Sequence, residues 1–148
     1  MESFKRKQTD MFELMKLLHF LALVLGAGAG IGNLYLGLAQ KRSGETPPIW
    51  IGSLRLAFAR TGLLGITLIW LTGLYLMFNH YGGWIPGASF LLKILAAGFL
   101  LVGVVAINLL LNQAAKTGTP SSLVPKLGMA TTALTVLAVI FAVYTFNG

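Results

Sequence analysis

The chain has 148 residues, of which 56% are hydrophobic and 10% are charged, with a formal net charge of +7. An ordinary soluble domain carries about 25% charged residues, so a water-bathed globule is excluded, and with no cysteine so are disulfides, zinc–thiolate sites, iron–sulfur clusters and c-type haem attachment. All four acidic residues, Glu2, Asp10, Glu13 and Glu45, lie in the first third, which removes carboxylate acid–base and carboxylate–metal chemistry from the remainder.

The first element is a predicted helix over 14–39, whose Leu17–Ala39 stretch carries no charge. About 20 residues of helix cross the roughly 30 Å of bilayer hydrocarbon, and backbone amides in lipid must bond within their own segment. Lys5, Arg6 and Lys7, then Leu17–Leu25, then Ala27-Gly28-Ala29 imitate a secretory signal. The apolar run continues to Ala39, so it reads as a membrane helix rather than a cleaved leader. Gly26/Gly30 and Gly28/Gly32 are small-xxx-small spacings that suit close helix packing; the alternative is a groove for a planar ligand.

A polar loop follows, Lys41 to Pro48, which the two prolines close. Ile49-Trp50-Ile51 is expected at the interface, ahead of a second helix over 53–79 with Arg55 and Arg60 in its first turns. Trp70 sits halfway along that helix, as filler between helices or as a wall for a flat cofactor. Tyr81 to Gly87 is a loop, with Tyr81 and Trp84 as interfacial anchors and Trp50 as their counterpart on the other side. A third helix is predicted over 87–115, with Pro86 suited to a first helical turn. After the loop Lys116–Ser122 comes a fourth helix over 124–147.

These elements predict an all-α, polytopic membrane protein, one domain over residues 1–148, with four transmembrane helices in an antiparallel bundle. The runs Leu17-Leu18-His19-Phe20-Leu21-Ala22 and Leu91-Leu92-Lys93-Ile94-Leu95-Ala96 match as two duplicated two-helix units would. Let side A hold the N-terminus, the helix 2–3 loop and the C-terminus, and side B the other two loops. Lys5, Arg6, Lys7 and Lys16 lie toward side A, whereas Lys41, Arg42, Arg55, Arg60, Lys116 and Lys126 lie toward side B. The balance favours side B as cytoplasmic and both termini as non-cytoplasmic. The basic residues flank apolar runs, so anionic lipid rather than nucleic acid is the expected counter-charge. A homo-oligomer or a larger membrane complex is the expected assembly.

Ionisable groups inside a bilayer are costly and tend to be functional. His19 and Lys93 lie at similar depth on side A, on two helices that start from the same surface. Lys93 has two readings, a chain that snorkels to the headgroups and a functional cation. Met11, Met15 and His19 recur at i, i+4 and i+8, and Met77 and His80 at i, i+3. His19, Met15, Met77 and His80 are the candidate metal ligands, since thioether and imidazole suit Cu(I), and His or Met suits haem iron; the alternative is a core stripe with interfacial residues. Asn33, Asn108, Asn112, Thr131 and Thr132 read as interhelical hydrogen-bonding groups.

Leu17-Leu18-His19 opening helix 1, Arg60 and Thr72-Gly73 in helix 2, and Leu92-Lys93-Ile94 opening helix 3 resemble a four-helix group. It contains the HemJ-type protoporphyrinogen oxidases and the CopD-like copper-resistance membrane proteins. The resemblance spans Lys16 to Phe146. It implies haem b, or copper as the alternative, with His19 as haem ligand and Lys93 facing an anionic group such as a porphyrin propionate; His80 is a further candidate at that cofactor. The chain has Gly26–Gly32 and Leu34-Tyr35-Leu36 where the oxidases carry a Trp and a Pro-Arg pair, and Val124-Pro125-Lys126 in place of Asn-Glu before helix 4. The architecture therefore transfers more readily than the reaction.

Two functions follow as expectations. One is a cofactor-binding protein of a bacterial inner membrane, acting in redox chemistry or in tetrapyrrole or copper handling, and as an enzyme an oxidoreductase. The other is a non-enzymatic accessory subunit of a larger respiratory or photosynthetic complex. A small transporter fits less well, since no broken helix pair is visible.

Overall fold

A computed structural model describes residues 2–44, 48–83, 87–119 and 121–146. They form four helices, α1 (Glu2–Ser43), α2 (Ile49–Asn79), α3 (Ala88–Thr117) and α4 (Leu123–Phe146), with no strand among the described residues. Each helix is long and apolar enough to cross a membrane.

The outer faces carry large apolar side chains. Leu21, Val24, Leu64, Phe99, Val102 and Leu109 are 50–68% exposed, while Ala22, Ala29, Ala59 and Ala96 are buried. A soluble monomer rarely exposes so continuous an apolar surface. In hydrocarbon there is no drive to bury leucine, and small residues collect where helices meet. The chain is a multi-pass membrane protein, as its composition leads one to expect. The helices pack in the cyclic order α1–α2–α3–α4–α1, and among the described residues no Cα atoms of the diagonal pairs approach within 8 Å.

Two helix starts differ from the sequence expectation. α1 begins at Glu2 rather than near residue 14 and runs for 42 residues, about 63 Å at 1.5 Å per residue. The charged residues before Leu17 limit the membrane-embedded part of the helix without ending it, because Glu, Lys, Arg, Gln and Met are good helix formers and no proline or glycine intervenes. α2 begins at Ile49, directly after Pro48 at its N-cap; Ile49-Trp50-Ile51 is its first turn, not an approach to it. Proline ends a preceding helix but fits well at the start of the next. Pro125 likewise falls in the first turn of α4, where its missing N–H has no helical acceptor to serve. Gly118 closes α3 in the left-handed conformation, φ +72°, and donates its N–H to the Ala114 carbonyl at 2.8 Å. The expected roles of Trp84 and Pro86 fall outside the described residues.

The α1–α2 contact is made backbone to backbone. A Cβ built on Gly65 would lie 2.8 Å from both Cα and N of Gly26 and 3.0 Å from the Ala22 carbonyl oxygen. Further along, Gly62 faces the Ala29 methyl and Gly32 receives the edge of the Phe58 ring. The expected Gly26/Gly30 and Gly28/Gly32 pairs do not act as two ridges. Gly26 and Gly32 meet α2, Gly30 faces Thr132 of α4 at 4.0 Å, and Gly28 has nothing within 4 Å.

Side-chain hydrogen bonds pin the side B half. Asn108 Nδ2 donates to the Ala59 carbonyl at 2.9 Å and to Val104 at 3.0 Å, and Asn33 Nδ2 donates to the Arg55 carbonyl at 3.4 Å. Thr131 and Thr132 instead donate to Gly128 of their own helix, and the Thr131 methyl fills the space over Gly103 on α3. Trp70 Nε1 donates to the Ala97 carbonyl at 3.4 Å, bridging α2 to α3.

Candidate functional site

Small residues on inward faces leave space between the helices. A cavity of about 1460 Å³ runs along the bundle, from Phe12, Lys16 and Tyr81 at the side A end to Lys41, Gly44 and Ser121 at the side B end. Its walls are chiefly apolar, from Phe20, Phe58, Ile66, Leu100 and Val139 among others. Four cations line it, Lys16 and Lys93 toward side A and Arg55 and Lys41 toward side B, and no carboxylate does among the described residues. Low-dielectric walls strengthen the field of such charges, so the cavity is electrostatically suited to negative charge.

His19 on α1 is held at a defined angle. The Thr72 hydroxyl on α2 donates to the Leu68 carbonyl at 2.6 Å, in the manner common for threonine inside a helix, with a longer contact to Ile69 at 3.3 Å. Its one proton is thereby engaged, so the 2.8 Å contact with His19 Nδ1 has the ring as donor and the hydroxyl oxygen as acceptor. A neutral imidazole with its proton on Nδ1 carries the free lone pair on Nε2. Gly73 backs the ring, and a Cβ there would lie in van der Waals contact, 3.4 Å from His19 Cε1.

Lys93 on α3 is half-buried and lines the same cavity. The two ionisable residues that sequence spacing put at one depth thus both line this cavity. Met77 also lines the cavity, whereas Met15 is half-buried off its lining and Met11 is 43% exposed.

His80 goes elsewhere. It stacks on Phe12 with ring centroids 3.7 Å apart and meets Tyr81 edge-on at 5.0 Å. Phe12 precedes His19 by two turns of α1, about 10 Å of rise, so His80 stands at the side A rim, beyond His19. Lys16 Nζ lies 5.6 Å from the same Phe12 ring, which makes this end of the cavity an aromatic and cationic rim. Among the described residues no group of three or more His, Cys, Asp or Glu is placed to hold a metal ion. Trp70 is not on the cavity wall.

Sequence reading missed Thr72 as the partner of His19 and Gly65 as the contact for Gly26. A usable signal was present: counted outward from the middle of the α1–α2 loop, position 19 falls opposite 72–73 and position 26 opposite 65–66. Compared with known proteins, no family, no curated protein and no solved structure matches the chain.

Proposed function

We propose that this membrane protein binds haem b toward side A of its cavity and serves membrane redox chemistry or tetrapyrrole handling. The observation that carries the reading is the His19–Thr72 hydrogen bond, which orients an imidazole on the wall of an apolar, cation-lined cavity. Metal-ligating histidines almost always donate their other ring N–H to a fixed acceptor, and Thr72 supplies that acceptor. His19 would hold the iron through Nε2, with Lys93 and Lys16 on the same cavity wall to face carboxylates of the ring. The walls are chiefly apolar, and bound haem supplies one-electron chemistry at its iron. The likeness to the HemJ-type group rests on the same histidine and lysine. A bacterial inner membrane, with both termini on the non-cytoplasmic face, is the placement consistent with the basic residues.

The test is the visible spectrum of the full-length protein purified in detergent and supplied with haem, together with iron analysis. Wild type is expected to show a Soret band with one haem per chain, His19→Ala to lose it, and His80→Ala to keep it. Wild-type protein that stays colourless contradicts the proposal, as does a band unchanged in His19→Ala. Colourless protein that purifies only within a larger complex points instead to the accessory-subunit reading.

A further inference from the structure

The side B end of the cavity has its own chemistry. Arg55 lies in the second turn of α2, lines the cavity, and buries its Nε without a hydrogen-bond partner among the described residues. Its Nη2 rests over Gly37 of α1, where a Cβ would lie 3.5 Å away. The guanidinium therefore lies against α1 at that position. Asn33 fixes the Arg55 backbone across the interface, while Lys41, Gln40 and Ser121 complete the polar mouth. From this mouth the apolar lining of Leu34, Phe58, Val104, Leu111 and Met129 continues inward. Thr72 lies seventeen residues beyond Arg55 on α2, about 25 Å of helix rise, so a group held at His19 does not occupy this end.

A buried guanidinium nitrogen left unpaired costs free energy, and a phosphate or carboxylate is the partner a planar fork matches best. Basic pockets between transmembrane helices take anionic lipid headgroups. We infer that the side B mouth is a binding site for an anionic phospholipid, with the phosphate on Arg55 and Lys41 and an acyl chain in the apolar part of the cavity. The bilayer is the source that explains both halves of the site, since free phosphate has no use for the apolar lining.

Native mass spectrometry of the full-length protein in detergent tests this, with phosphatidylglycerol, phosphatidylcholine and inorganic phosphate as probes. One phosphatidylglycerol per chain is expected to bind at least about tenfold more tightly than phosphatidylcholine, and Arg55→Gln to weaken it about tenfold, as loss of a hydrogen bond to a charged group predicts. Arg55→Lys should retain part of the affinity. Gly37→Leu keeps every charge but crowds the guanidinium, and should weaken phosphatidylglycerol as well; it serves if Arg55→Gln proves too unstable to purify. Equal binding of the two lipids overturns the site, as does unchanged phosphatidylglycerol binding in both Arg55→Gln and Gly37→Leu. Displacement of the lipid by millimolar inorganic phosphate overturns the lipid assignment in favour of a free anion. Haem binding at His19 is read separately and does not decide this result.

Discussion

Gly65→Ala is expected to destabilise the bundle by about 2 kcal/mol, the middle of the range for overpacking a filled contact, and Gly65→Leu to prevent α1 and α2 from pairing as they do. The reason lies in what stands opposite. The atoms within 3.0 Å of the added Cβ are Gly26 Cα, Gly26 N and the Ala22 carbonyl oxygen, all backbone, so no side chain can rotate away and the helices themselves must separate. Separation forfeits the dispersion contact that holds helices together in lipid, where no hydrophobic drive replaces it. Gly28→Ala is the control. It adds the same methyl group where nothing lies within 4 Å and exchanges glycine for a better helix former, so it should be neutral or stabilising by up to about 1 kcal/mol. Thermal unfolding of both variants in one detergent, followed by helical circular dichroism, reads the difference. Equal melting temperatures would show that α1 and α2 do not meet at Gly26 and Gly65.

Thr72→Val should reduce haem affinity by about 10- to 100-fold, the usual cost of losing the partner behind a metal-ligating histidine. Valine keeps the β-branched shape at a buried position but removes the oxygen that accepts from His19 Nδ1 at 2.8 Å. The ring is then free to turn and to change tautomer. Thr72→Ser restores the acceptor and should restore most of the affinity. Haem titration followed at the Soret band gives both values, and a melting curve near that of wild type shows that the effect is not one of folding. Equal haem affinity in wild type and Thr72→Val would separate His19 from Thr72 and remove the orienting role assigned to the hydroxyl.

The number and order of the helices were readable from the sequence because lipid imposes a simple rule: an uncharged run near 20 residues must be a spanning helix. The same rule misplaced the start of α1, since Lys5 to Lys16 marks where the membrane ends and not where the helix ends. His19 and Lys93 were readable as candidates from their depth alone, and both line the cavity. The role of Gly26 was readable only in part. A spacing of glycines names a helix that packs closely but not the face that does so, and Gly28, one residue from the contact face, turns out to face open space. His80 shows the opposite limit. Its i, i+3 spacing from Met77 put both on one side of α2, yet the stacking partner that draws His80 away, Phe12, is 68 positions distant in the chain. Arg55 and Gly37 were likewise invisible as a pair, because neither residue signals the other without the antiparallel register of α1 and α2.

His19 and Lys93 can serve one site only if α1, α2 and α3 each cross the bilayer, so that both residues lie in the same leaflet. The absence of native cysteine makes this directly measurable, with Gln8→Cys, Ser43→Cys, Tyr81→Cys and Thr119→Cys introduced one at a time in full-length protein. A membrane-impermeant maleimide applied to sealed vesicles of one orientation should modify positions 8 and 81 together and positions 43 and 119 together, the two pairs from opposite faces. Modification of positions 8 and 43 from the same face, or of 43 and 81, would contradict the account.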